Sequence, residues 1–210
     1  PKVVDFAQRT PGAGEKSADV LGQVRGHAMK RMTGLVTTLF ENADDALFDL
    51  ASKANNNATQ ATFFDGMREV RKRRQGIESK FQERFIRHFS DFQSGRTTAV
   101  VKTEGAATAV PGELSLALVD DQELEESLAV ASMVAKAENR LQRTLFALNQ
   151  RMAHLSNLRV EDNNNPIGPA VVGQMFRESM GITEATLEVK LVMYKLFDRF
   201  IELKQSAREH

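Results

Sequence analysis

Residues 59–92 read TQATFFDGMREVRKRRQGIESKFQERFIRHFSDF, and their main apolar positions are Phe63, Met67, Val70, Ile77, Phe81, Phe85, Phe89 and Phe92. Spacings of three, four and seven bring these side chains back to one face of a helix of about 3.6 residues per turn. Most of the remaining positions are Lys, Arg, Glu or Gln. The stretch therefore predicts an amphipathic helix roughly 50 Å long at about 1.5 Å per residue. Upstream, Leu21, Val24, Ala28, Met32, Leu35, Leu39, Ala43, Ala46 and Leu50 carry the same period from about Ser17 to Ala54, where Asn55, Asn56 and Asn57 stop it. Two rods joined by so short a connection bury their apolar faces by folding back on each other, so residues 17–92 are expected to form a long antiparallel helical hairpin.

On either side of this hairpin the composition changes. Residues 1–16 contain Pro11, Gly12 and Gly14 and read as a flexible arm. Residues 93–112, QSGRTTAVVKTEGAATAVPG, are small and polar without a helical stripe and read as a linker. Residues 113–210 form a second helical region. After an extended-looking Leu114–Val119, Asp120 or Asp121 is placed to cap a third helix with the stripe Leu124, Ala131, Val134, Leu141, Leu145, Leu148, Met152 and Leu155. Positions 134, 141, 148 and 155 keep a seven-residue step, a coiled-coil-like seam interrupted by Glu138. Asp162–Pro169 reads as a turn, and shorter helices fit 169–180 and 184–206. The expected class is all-α. An internal echo adds the alternative of two hairpins in tandem: Thr38-Leu39-Phe40 precedes one Asn triplet as Thr144-Leu145-Phe146 precedes Asn163, Asn164 and Asn165.

Composition limits the function classes. Across 210 residues, 28 Lys and Arg balance 28 Asp and Glu, leaving no global field for a polyanion and arguing against a nucleic-acid partner. With no Cys, disulfide and thiolate chemistry are excluded. No apolar run approaches the roughly 18 residues that a membrane span needs, and residues 1–20 lack the apolar core of a signal peptide, so a cytoplasmic location is expected. Thirteen Phe against one Tyr and no Trp point to aromatic packing with few polar handles.

The charges are local instead. Arg68, Arg71, Lys72, Arg73 and Arg74 crowd one stretch, and Asp120, Asp121, Glu123, Glu125 and Glu126 crowd another. A helical wheel places Arg74 and His88 within the apolar stripe, where a guanidinium must snorkel or find a carboxylate. Arg68, Arg71, Arg73, Arg74 and His88 are thus candidates for binding a partner or an anion such as a phosphate ligand. Asp120, Asp121, Glu125 and Glu126 are the acidic docking candidates, with Arg71 or Arg74 expected to meet Asp121 or Glu125 within one chain or across a dimer. Carboxylates at a helix N-terminus are favoured by the helix dipole and by capping, so the acidic block does not imply a metal. Gly12-Ala13-Gly14-Glu15-Lys16-Ser17 fails the phosphate-loop fingerprint because Glu15 separates the glycine from Lys16. His27, His88, His154 and His210 show no i, i+4 pair, and no nucleophile–base–acid arrangement emerges. No catalytic residue, metal or cofactor is expected.

The segments LSLALVDDQELEES (114–127), LFALNQRM (145–152), NPIGP (165–169) and KLVMYKLFD (190–198), with FENADDALFDLA (40–51) and FFDGMREVR (63–71), resemble a family of long proteobacterial proteins catalogued as a domain of unknown function. Its members are sometimes labelled thymidine phosphorylase, but the Gly-rich phosphate and pyrimidine signature of that enzyme is absent here. The resemblance implies an N-terminal part of a longer protein and carries no site residues. The function expected from these readings is a non-enzymatic helical interaction or scaffold module of a larger bacterial regulatory protein, binding a protein partner or itself as a homodimer. The alternative is a sensor of a nucleotide or other phosphate ligand on the Arg cluster of the second helix.

Overall fold

The structure, a computed structural model, describes residues 13–96, 99–100 and 121–206, with side chains placed from 16 to 199 among them. Five helices follow in order: α1 Ala13–Ser52, α2 Asn57–Gln93, α3 Asp121–Ser156, α4 Pro169–Met180 and α5 Leu187–Ser206. The class is all-α, and α1 and α2 form the expected hairpin. The Asn triplet makes the reversal: the Asn56 side chain accepts a hydrogen bond from the Thr59 amide at 2.8 Å, satisfying one of the free donors at the start of α2. At the other end Gly95, at φ 74°, donates its amide to the Phe92 carbonyl and turns the chain out of the helix. Most of the arm at 1–16, most of the linker at 93–112, the extended-looking 114–119 and Asp120 lie outside the described residues.

The two helical regions share one core. On α2, Phe81, Phe85, Phe89 and Phe92 are all buried, with ring centroids 5.9 Å apart for Phe85–Phe89 and 6.1 Å for Phe89–Phe92. Phe176 of α4 lies edge-on to Phe81 and to Tyr194 and stacks on Phe197 of α5 at 4.2 Å. Val36, Leu39 and Leu47 of α1 and Met133 and Met152 of α3 join the same cluster. Each such burial contributes about 1.5–3 kcal/mol relative to an exposed side chain, which is why the phenylalanines dominate. α4 packs on α2 and α3, while α5 lies against α1 and α3. Two glycines permit close approach: a Cβ on Gly66 would overlap the Val189 side chain of α5, and one on Gly173 would lie 2.9 Å from Val134 of α3.

Two polar devices fix α3. In the turn after it, the Asn165 amide donates to Asn149 Oδ1 at 2.7 Å and Asn149 donates to Asp162 at 2.6 Å, while Asn165 Oδ1 accepts from the Ile167 amide. Asn165 is fully buried, so this chain of partners is what allows an amide there. At the start of α3, Glu126 accepts from Lys190 at 2.6 Å and from the Tyr194 hydroxyl at 3.0 Å. Burial and the Glu126 carboxylate push the Tyr194 hydroxyl far above its ordinary pKa, so it stays a donor.

Candidate functional site

The basic block of α2 is distributed around the helix and paired residue by residue. Arg68 bonds Asp65, Arg71 reaches Asp44 of α1 at 2.9 Å, Lys72 and Arg73 share Glu69, and Arg74 bonds Glu78 at 3.0 Å. The expected contact of Arg71 or Arg74 with Asp121 or Glu125 is not made within the chain. The reason is geometric: carboxylates one turn away on α2, or across the hairpin on α1, are nearer, and α2 has no extensive contact with α3. Arg74 does sit half-buried on the apolar stripe, its guanidinium 5.9 Å from the Phe40 ring centroid. Glu69 also accepts from the Glu184 amide, and with Arg73 this holds its carboxyl below the usual range.

Of the acidic candidates, Glu126 docks α3 onto α5 rather than onto α2. Asp121 and Glu125 are exposed, and Asp120 lies outside the described residues. Their helix carries a second feature. The apolar stripe faces inward at Leu145 and Met152, but Leu124 on it is 44% exposed, and beside it Leu128 is 49% and Phe146 68% exposed. Leu128 and Phe146 stand 18 positions apart, five turns at about 3.6 residues per turn, so they share one line along the outer flank of α3. Ala131 and Ala135 lie between them.

His88 opens a different region. It is half-buried at the C-terminal end of α2, beside a pocket of about 360 Å³ between that end, α4 and the turn at 161–168. Arg84, Arg87, His88 and Asp91, spaced i, i+3, i+4 and i+7, present one polar face to it. Arg96 follows the helix, and Phe92, Pro166 and Val171 supply an apolar wall. Arg84 bonds Glu178 of α4, and Arg96 reaches Asp91 at 3.3 Å. The Nε of Arg84 is buried with no hydrogen-bond partner. Arg87 is exposed and makes no ion pair among the described residues. Burial is the largest influence on His88 and lowers its pKa; Glu178 and Asp91 oppose this while Arg87 and Arg84 add to it. Sequence reasoning found His88 but not Arg84, Arg87 and Arg96, although the i, i+3, i+4 spacing was available to it.

Among the described residues no group of three or more His, Asp or Glu could hold a metal ion, and no helix is long and apolar enough to cross a membrane. No curated protein and no solved structure matches the chain. A family match does exist, and it spans both helical regions, taking in the α1–α2 hairpin, α3 with its Asn-lined turn, and α4 and α5 as far as residue 204. Over residues 16–204 the chain matches the N-terminal domain described as protein of unknown function DUF1631, and it belongs to that family.

Proposed function

We propose that this chain is a non-enzymatic helical interaction module that pairs with a second copy of itself along the outer flank of α3. The observation that carries the reading is the row of Leu124, Leu128 and Phe146 held exposed on a helix whose other side packs into the core through Val130, Met133, Leu145 and Met152. A ring as exposed as Phe146 has no partner to gain from its own chain and gains from a second apolar surface. Ala131 and Ala135 let two helices approach closely there. Charge selects the orientation. α3 begins with Asp121, Glu123, Glu125 and Glu126, whereas beyond Glu138 its charged residues are Arg140, Arg143, Arg151 and His154. Antiparallel pairing sets unlike ends together and parallel pairing sets like ends together, so the antiparallel dimer is favoured.

The Cys-free chain makes the test direct. Sedimentation should give a dimer for the wild type and a monomer for Phe146→Glu. Mixed single-cysteine variants Leu128→Cys and Phe146→Cys should cross-link to each other under mild oxidation in preference to forming either homodisulfide. A monomeric wild type at about 100 μM would exclude useful self-pairing, since a dissociation constant beyond that corresponds to under roughly 6 kcal/mol of association. The phosphate-sensor alternative, placed on Arg68–Arg74, has no such support, because a ligand there competes with the carboxylates already bound to each cation.

A further inference from the structure

We infer that the pocket at the C-terminal end of α2 is a binding site for a small organic phosphomonoester, with the phosphate held by Arg87, Arg96 and Arg84 and the organic part against Phe92, Pro166 and Val171. The inference is independent of α3 self-pairing and concerns a different face of the chain.

Charge is the first ground. Three guanidiniums meet at the pocket with two carboxylates, Asp91 and Glu178, so one positive charge is left without a counterion. Arg84 is held by Glu178, but its buried Nε has no hydrogen-bond acceptor. Arg87 presents its whole donor fork, and the 3.3 Å contact of Arg96 with Asp91 is long enough to be exchanged for a better acceptor. Two forks one turn apart on α2, with a third from Arg96 just past its end, line the same pocket and suit the several oxygens of a phosphate, whose charge at neutral pH is about −1.5 to −2. His88 stands beside them with Arg84, Arg87 and Asp91 from its own helix and Glu178 from α4 around it. A bound oxyanion would favour its protonated form and add a second positive charge.

Shape is the second ground. At about 360 Å³ the pocket is far larger than a phosphate group and lies within the range of small-molecule sites. Phe92, Pro166 and Val171 line it from the core side and are held in place by packing, with Val171 2% exposed and Phe92 1%. A rigid apolar lining beside a cluster of donors suits a ligand that has one anionic end and one hydrophobic end.

The experiment is a calorimetric titration of the 210-residue chain with phenyl phosphate in a phosphate-free buffer. One saturable site is expected, bound at least about ten times more tightly than inorganic phosphate, because the ring adds apolar burial. Arg87→Ala and Arg96→Ala should each weaken it about tenfold or more, the loss of a charge-assisted bond. Arg87→Lys should fall between, keeping the charge and losing the fork, and Arg71→Ala should change nothing. Both arginines are exposed, so circular dichroism and thermal unfolding of the variants should match the wild type. Absence of saturation at about 10 mM, or affinity unchanged in Arg87→Ala and Arg96→Ala, would overturn the site. Equal affinity for inorganic phosphate would overturn the role of the apolar wall, and a phosphoserine peptide binding more than about tenfold more tightly than phenyl phosphate would overturn the assignment to a small molecule.

Discussion

At the scale of single residues, His88 links stability to pH. Burial holds its folded pKa below the ordinary value of 6.5, so in the folded chain the ring resists protonation. The unfolded chain binds a proton as pH falls through about 6.5 while the folded chain does not, and stability is therefore lost from there down to the folded pKa. Above pH 7.5 or so the ring is neutral in both states and contributes no pH dependence. Urea unfolding in phosphate-free buffer between about pH 7.5 and 5.5 should show this decline, and His88→Gln should flatten it. An equal slope in both proteins would mean that carboxylates rather than His88 set the dependence. Arg74 shows how far one residue can be read from sequence. Its place on the apolar stripe was legible from periodicity, and it lies half-buried near Phe40 as that predicts. Its partner was not legible, because Glu78 and Asp121 are both acidic and only distance chooses between them.

Among the elements, the glycines of α2 and α4 decide which helices can approach. Gly66 faces Val189 so closely that a methyl group cannot be added without moving α5. Helix propensity alone would make Gly66→Ala stabilising by about 1 kcal/mol. Overpacking should outweigh that gain, giving a net destabilisation of about 1–2 kcal/mol in denaturant unfolding. Gly22→Ala, where nothing lies within 4 Å of the added carbon, should instead show the propensity gain. A stabilised Gly66→Ala would show that α5 yields readily. The seam of α3 carries the same lesson. The stripe included the inward positions Leu145 and Met152, but the seven-residue step ran through Val134, Leu141, Leu148 and Leu155, which are only half-buried, and the exposure of Leu124 was not legible in it. A hydrophobic period says that a face is apolar, not what covers it.

For the whole molecule, the shared core is the determining feature. Phe176 of α4 touches rings of α2 and α5, and both polar links of α3 reach residues beyond it. Residues 13–96 and 121–206 should accordingly unfold in one transition, with circular dichroism and tyrosine fluorescence giving coincident midpoints. Separate midpoints for Tyr194 and for total helicity would show that α5 leaves the core first. By itself the sequence determined the five helices, the Asn reversal and the Pro169 start, because periodicity and capping are properties of neighbouring residues. It also determined the family, through segments such as NPIGP whose buried Asn165 now has a structural reason. Only the tertiary structure decided that Arg71 meets Asp44, that Glu126 meets Lys190, and that Arg84, Arg87 and Arg96 line one pocket with Pro166. Exposed ion pairs contribute about 0–1 kcal/mol, too little to direct helix docking. The fit of phenylalanines and glycines sets the helix positions, and the charges take whichever partners that packing brings within reach.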